Sequence, residues 1–114
     1  MVSAGEVSGD MHAAAVIREL KKKVGGLEVF GMGSEALKKE GAEILIDPTE
    51  ISTIGYMEAF KNLAEHFKNL KEMKNLLRQR QPDLVFLVDY SGFNMRLAKF
   101  CSKEGIPTVN YFPP

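Results

Sequence analysis

Asp83-Leu84-Val85-Phe86-Leu87-Val88 is a near-continuous apolar run that follows the breaker pair Gln81-Pro82. A run of this kind, without polar alternation, is typical of a parallel strand that is buried on both faces of a sheet. Parallel strands are joined by crossover connections, which are usually helices, so we expect helices on either side of this run along the chain. The stretch therefore predicts an α/β fold.

The rest of the chain alternates short apolar runs with segments of helical periodicity. The pattern predicts strands near 2–4, 27–30, 42–46, 83–88 and 108–112, and helices near 10–24, 34–40, 56–80 and 93–104. Strands and helices in this order predict right-handed βαβ units. We therefore expect a Rossmann-like parallel sheet of about five strands flanked by helices, in a single domain over residues 1–114.

Charge and composition exclude several classes of protein. Fifteen Lys and Arg residues balance fifteen Asp and Glu residues, which argues against a nucleic-acid-binding protein that relies on overall phosphate attraction. A local basic face is compatible with this balance. With one cysteine, Cys101, and no Cys/His cluster, neither an internal disulfide nor a structural zinc site is expected. We interpret Cys101 as a buried helical thiol.

The sequence contains neither a membrane-spanning stretch nor a recognisable signal peptide. No apolar run approaches the roughly 18 residues that a spanning helix needs, and the first residues lack a basic segment and an apolar core. We therefore expect a cytoplasmic chain. Attachment to a membrane surface stays open.

A glycine-bearing loop, Gly5-Glu6-Val7-Ser8-Gly9-Asp10, follows the first predicted strand. Its glycines would let backbone N–H groups approach an anion or a sugar at a helix N-terminus, with Ser8 as a hydroxyl donor. The alternative is a tight turn in which Ser8 or Asp10 only caps the helix. The loop lacks the G-x-G-x-x-G and phosphate-loop patterns, which argues against NAD or ATP as its ligand.

A second polar loop, Asp89-Tyr90-Ser91-Gly92-Phe93-Asn94, follows the apolar strand. Because ligands of open α/β sheets bind outside the carboxyl ends of the strands, we expect both loops to line one site. Asp89, in a partly dry crevice, is a candidate general base. The alternative is that Asp89 only accepts N–H bonds from its own turn. Gly31-Met32-Gly33 either contacts a ligand or allows strand and helix to pack closely.

The predicted 56–80 helix has an apolar stripe and an excess of basic residues. It is either an ordinary core-facing helix with a solvated charged face or a contact with an anionic membrane surface. His66 within it is predicted to be solvated, and His12 in the first helix is predicted to be hydrogen-bonded rather than a ligand contact. The stripe comprises Phe60, Leu63, Phe67, Leu70, Met73, Leu76 and Leu77.

Several segments, taken in order over the whole chain, resemble the N-terminal part of the lipid-A-disaccharide synthase family. The opening A-G-E-x-S-G-D and the later Asp-x-x-x-Phe-Asn loop are the most specific of them. The segments are Ala4-Gly5-Glu6-Val7-Ser8-Gly9-Asp10, Phe30-Gly31-Met32-Gly33, Ile54-Gly55-Tyr56-Met57-Glu58, Pro82-Asp83, Val88-Asp89, Phe93-Asn94, Arg96-Leu97-Ala98 and Gly105-Ile106-Pro107-Thr108-Val109-Asn110-Tyr111.

This resemblance implies an inverting glycosyltransferase of the GT-B type that uses no metal and no cofactor. Residues 1–114 would be its acceptor-side domain, and the C-terminal nucleotide-binding domain is absent from this chain. The implied reaction transfers 2,3-diacylglucosamine from its UDP carrier to 2,3-diacylglucosamine 1-phosphate in lipid A biosynthesis, and releases UDP. The fragment alone is expected to be inactive. The implied partners are these two substrates, the missing domain and the inner-membrane surface through helix 56–80, with no nucleic acid.

The resemblance also implies roles for individual residues. Asp89 is the expected catalytic base, and Glu6 is the second choice as base or a ligand of the acceptor hydroxyl. Gly92 stands where the family usually has a second acid, so that carboxylate is lacking here. A competing prediction is a non-catalytic flavodoxin-like domain that binds a nucleotide or flavin at the same strand ends. The expected substrate contacts are Gly5, Ser8, Gly9, Asp10 and Asn94.

Overall fold

A computed structural model describes residues 1–48, 56–89 and 91–112, and of residues 56–63 and 91 only the backbone. Within these residues strands and helices alternate, as the sequence predicts. The elements are β1 (Val2–Ala4), α1 (Val7–Lys23), β2 (Phe30–Met32), α2 (Glu35–Lys39), β3 (Glu43–Ile46), α3 (Tyr56–Arg80), β4 (Val85–Val88), α4 (Ser91–Lys103) and β5 (Thr108–Tyr111).

The five strands form one parallel sheet in the order β3-β2-β1-β4-β5. The apolar run that predicted the fold becomes β4, which lies between β1 and β5 and is therefore an interior strand. From β1 the chain moves outward through β2 to β3, and then crosses to β4 on the other side of β1. The strand order thus reverses between β1 and β4, which is the position where open α/β sheets bind ligands.

Two separate hydrophobic clusters lie on the two faces of the sheet. Neighbouring residues of a strand alternate between them, as the period of a β-strand requires. The first cluster lies against α3 and α4 and contains Met1, Phe30, Met32, Ile46, Leu70, Met73, Leu77, Val85, Leu87, Phe93, Leu97 and Cys101. The second lies against α1 and α2 and contains Val2, Ala4, Ala13, Ala14, Ile17, Leu37, Ala42 and Val88.

Two elements begin three residues away from the predicted position, whereas all other boundaries lie within two residues of the prediction. The second strand, predicted at 27–30, lies at Phe30–Met32, because its pairing with β1 joins Gly31 to Val2 and Met32 to Ser3. The first helix, predicted from residue 10, begins at Val7. The shift of β2 follows from its pairing with β1, which the local pattern does not contain.

Gly31 and Gly33 are explained by close packing, which was one of the two interpretations of this segment. Gly31 has a φ of +138°, and a Cβ atom there would lie 2.2 Å from the carbonyl oxygen of Val2. A Cβ atom on Gly33 would lie 2.4 Å from Cδ1 of Leu37. Side chains are therefore excluded by a neighbouring strand and a neighbouring helix, without any ligand.

Candidate active site

The two predicted loops lie side by side at the carboxyl edge of the sheet. Ala4 is paired with Val88 in the β1–β4 ladder, so the segment from Gly5 and the segment from Asp89 leave adjacent parallel strands at the same level. The N–H group of Asp89 donates to the carbonyl oxygen of Tyr111 at 3.0 Å, which joins β5 to this edge. The predicted placement of Glu6 and Asp89 at one edge is therefore confirmed.

The N-terminus of α1 presents unused N–H groups to this edge. Its first intrahelical hydrogen bond runs from the N–H of Asp10 to the carbonyl oxygen of Glu6, at 2.9 Å. The N–H groups of residues 7–9 lie before the first donor of the helix and therefore have no acceptor within it. Glu6 at the N-cap position makes no side-chain capping bond to them. Glu6 and Ser8 are exposed to solvent. N–H groups at a helix N-terminus are suited to an anion such as a phosphate group.

Gly9 lies in α1 directly over the ends of β1 and β4. A Cβ atom on it would lie 3.6 Å from the carbonyl oxygen of Val88 and 3.8 Å from Cβ of Ala4, both ordinary contact distances. Packing within the described structure thus leaves room for a methyl group there. The prediction that Gly9 lets a ligand approach the backbone stays a prediction.

Asp10 caps a different helix from the one that contains it. Its carboxylate is 3% exposed and accepts the N–H groups of Ser34 at 2.7 Å, Ala36 at 2.9 Å and Leu37 at 3.2 Å. Ser34, at the N-cap position of α2, makes no side-chain capping bond, and its hydroxyl group lies 3.0 Å from Oδ2 of Asp47. Both carboxylate oxygens of Asp10 are therefore engaged by the backbone, while its predicted contact with substrate stays a prediction.

Asn94 reaches from the first turn of α4 to the ends of β1 and β4. Its side chain is buried and hydrogen-bonded to Ser3 and to the carbonyl groups of Val88 and Asp89. Asp89 itself has a φ of +51°, in the left-handed region that few residues other than glycine, asparagine and aspartate adopt. Ser3 is a site residue that sequence reasoning missed, because an apolar–polar alternation in a short strand does not reveal a polar partner 91 residues away.

The two histidines and the cysteine lie outside this group of residues. His12 is exposed on α1, with its ring centroid 6.3 Å from that of Tyr111. The prediction that His66 is solvated is wrong in part: the ring is half-buried and packs edge-to-face on Phe93 at 5.1 Å, and burial, with a smaller effect of Arg96, lowers its pKa. Cys101 is buried as predicted, and burial raises the pKa of its thiol.

A groove of about 530 Å³ lies at the edge of the sheet where the strands begin, opposite the strand-end loops, and its lining includes Met1, Phe30, Leu84 and Val109. Across residues 1–48, 56–89 and 91–112, no three His, Cys, Asp or Glu side chains are grouped so that they could hold a metal ion. The helices in the same ranges include none that is long and apolar enough to cross a membrane.

Comparison with known proteins identifies the family. The family model described as lipid-A-disaccharide synthetase matches residues 1–114. The lipid-A-disaccharide synthases of Nitrosococcus oceani and Myxococcus xanthus are each 38% identical over 99% and 100% of this chain, and lipid-A-disaccharide synthase 1 of Legionella pneumophila is 37% identical over 100% of it. The chain spans only 29–30% of the length of these relatives. With a match over its whole length, the chain belongs to the lipid-A-disaccharide synthetase family.

Proposed function

We propose that this chain is the N-terminal, acceptor-side domain of a cytoplasmic lipid-A-disaccharide synthase. The proposed enzyme transfers 2,3-diacylglucosamine from UDP to the 6-hydroxyl group of 2,3-diacylglucosamine 1-phosphate. The observation that carries the proposal is the pairing of Ala4 with Val88, which brings the 5–10 loop beside Asp89 in a chain of this family. The carboxylate of Asp89 is then the group available to take a proton from an acceptor bound by the loop.

The proposed reaction is a single displacement with inversion at the sugar carbon. The carboxylate of Asp89 removes the proton of the acceptor hydroxyl as the hydroxyl oxygen forms a bond to C1 of the donor sugar. The bond between C1 and the diphosphate oxygen breaks on the opposite face, and UDP leaves with the electron pair. Glu6 is exposed next to this position and is the alternative base or a ligand of the acceptor hydroxyl.

The remaining residues of the edge bind the acceptor in this proposal. The unused N–H groups of residues 7–9 and the Ser8 hydroxyl group bind its phosphate or sugar oxygens. Gly5 and Gly9 allow the ligand to approach the backbone. Asn94, whose amide is committed to strand-end carbonyl groups, supports the site from behind.

The open edge predicts that this chain does not catalyse transfer by itself. We expect the 114-residue chain to release no UDP and to bind UDP weakly or undetectably. The full enzyme, meaning this chain together with the further region that gives the relatives their length, should release UDP from UDP-2,3-diacylglucosamine. Product formation and calorimetric UDP binding, measured on both proteins, test this expectation.

Thermal unfolding of the chain with and without ligands separates the proposal from the flavodoxin-like alternative. Protection of the chain against thermal unfolding by the diacylated acceptor, but not by nucleotides or flavin, would support the transferase. Turnover by the 114-residue chain at the rate of the full enzyme would contradict the proposed division into two domains. A yellow protein with bound flavin would favour the alternative.

A basic surface with exposed apolar side chains supports a peripheral contact with the inner membrane. α4 carries Arg96, Lys99 and Lys103 and no acidic residue. Phe67 on α3 is 49% exposed, and the guanidinium carbon of Arg96 lies 5.1 Å from its ring centroid. Met95 nearby along α4 is 61% exposed. The sequence also suggested Leu70, Phe60 and Leu63 for this contact. Leu70 is buried in the α3–α4 cluster, whereas Phe60 and Leu63 lie outside the described side chains.

The membrane contact predicts that two substitutions weaken vesicle binding without unfolding the domain. We expect the Phe67→Ser, Met95→Ser double variant to bind anionic phosphatidylglycerol vesicles roughly tenfold more weakly, since it removes apolar contact but leaves the charge. Met11→Ser is the matched control, because Met11 is 62% exposed on α1, in the other helix layer. Equal loss in the control, or no loss in the double variant, would exclude the α3–α4 surface. Vesicle sedimentation and the melting temperature provide the two measurements.

A further inference from the structure

The side chain of Asn94 is a buried junction between three segments of the chain. It is 3% exposed, and its Nδ2 lies 2.5 Å from the carbonyl oxygen of Asp89 and 3.3 Å from those of Val88 and Ser3. Its Oδ1 lies 2.6 Å from Oγ of Ser3, which is itself fully buried. Asn94 thus connects the carboxyl ends of β1 and β4 to the start of α4.

The chemistry of these groups allows only one orientation of the amide. A carbonyl oxygen cannot donate a hydrogen bond, so the side facing the three carbonyl groups must be the NH₂ group. Oδ1 is then left facing Ser3, and the Ser3 hydroxyl group must donate to it. Two amide hydrogens serve three carbonyl oxygens, and the shortest of these contacts is the one to Asp89. The three carbonyl groups therefore determine which way the amide of Asn94 points, and the Ser3 hydroxyl group donates the hydrogen bond that holds its Oδ1.

This junction holds Asp89 in a backbone conformation that is costly by itself. A non-glycine residue with a φ of +51° keeps this conformation only where its surroundings fix it. The two backbone groups of Asp89 are both hydrogen-bonded, the N–H to Tyr111 and the carbonyl to Asn94. The direction of the Cα–Cβ bond follows from that conformation, and it limits the positions that the carboxylate can reach.

We propose that Ser3 is a positioning residue for transfer, which acts through Asn94 to hold the carboxylate of Asp89 at the carboxyl edge. The proposal rests on the proposed function, in which Asp89 is the base. Ser3 does not touch the substrate in this arrangement, since it is fully buried beneath the loop. Its loss should therefore affect the chemical step more than acceptor binding.

Turnover of the Ser3→Ala variant of the full enzyme tests this role. We expect kcat to fall roughly tenfold with KM for the acceptor within about twofold, because a small displacement of a reacting group slows the chemistry without removing a binding contact. Ser102→Ala is the matched control, because Ser102 is exposed on α4. Rates are compared well below the melting temperature of each variant, so that unfolding does not contribute.

A structural measurement accompanies the kinetics. The ¹³Cα and ¹³C′ NMR shifts of Asp89 in the 114-residue chain report its backbone conformation and the hydrogen bond to its carbonyl group. Ser3→Ala should move both shifts, and Ser102→Ala should leave them unchanged. Should Ser3→Ala fail to fold, Ser3→Cys replaces it, since the thiol has nearly the same size and is a much weaker donor.

The outcomes distinguish this inference from the proposed function. Wild-type kcat in Ser3→Ala or Ser3→Cys, or unchanged Asp89 shifts, would overturn the positioning role while leaving Asp89 as the base. A variant with wild-type kcat and a raised KM for the acceptor would also overturn the positioning role, because that result indicates a binding contact. An inactive wild-type enzyme, or full activity after Asp89→Asn, would instead contradict the proposed function itself.

Discussion

Replacing Asp89 by asparagine in the full enzyme should slow transfer by roughly 10²–10⁴-fold, with little change in acceptor affinity. The amide has nearly the shape of the carboxylate but cannot accept the proton of the attacking hydroxyl group. The backbone around Asp89 should tolerate the change, because asparagine also adopts the left-handed conformation and the bonds to Tyr111 and Asn94 use main-chain atoms. The substitution therefore isolates the carboxylate.

Turnover and thermal stability must be measured on the same Asp89→Asn protein. Asp83→Asn is a suitable control, because Asp83 is exposed just before β4, at the opposite edge of the sheet. Near-normal turnover in Asp89→Asn would remove Asp89 from the mechanism and make Glu6 the candidate base. A lowered melting temperature with normal kcat would show that the carboxylate stabilises its own turn, which was the alternative interpretation of the sequence.

Replacing Asp10 by alanine should lower the free energy of unfolding by about 3–5 kcal/mol. The change leaves the N–H groups of Ser34 and Leu37 without their acceptor in buried positions, and that of Ala36 in a partly buried one. Each buried, unsatisfied donor costs about 1–3 kcal/mol, and a domain of this size has a total stability of only about 5–15 kcal/mol. Denaturation by urea, with the midpoint and slope compared, measures the loss.

A control in α2, the helix that Asp10 caps, separates the effect of hydrogen bonding from the effect of negative charge. Glu35 is the exposed acid of the first turn of α2, and Glu35→Ala removes a charge near the helix N-terminus without removing a cap. We expect a loss of less than about 1 kcal/mol there, as is usual for a charge near a helix dipole. If Asp10→Ala kept the stability of the wild type and lost acceptor affinity, Asp10 would be a substrate contact, as the sequence suggested.

The sequence predicted most of the fold because the signals for it are local. The apolar run of β4 and the breakers beside it indicate a buried parallel strand, and alternating periodicities place the helices around it. The position of β2 could not be predicted in the same way, because its limits depend on pairing with β1. Local propensity is overridden by such tertiary contacts.

The candidate site was predicted at the level of loops but not at the level of bonds. The carboxyl ends of parallel strands lie at one edge of a sheet, so the proximity of Glu6 and Asp89 could be predicted from the sequence. The carboxylate of Asp10 and the hydroxyl group of Ser3 find partners at least 24 residues away, and no spacing rule predicts such contacts. The sequence therefore identified where chemistry is expected, and the structure distinguished the side chains that face solvent from those that hold the loops in place.

The sheet separates the two hydrophobic clusters, and this separation lets the side chains on its two faces be substituted independently. Side chains of the α1–α2 cluster and of the α3–α4 cluster belong to different contact groups on opposite sides of β1 and β4. Effects of substitutions in groups that share no partners usually add. Substitutions in the basic α3–α4 layer, including those that would tune the proposed membrane contact, can then accumulate by small steps without repacking the layer that supports the glycine loop.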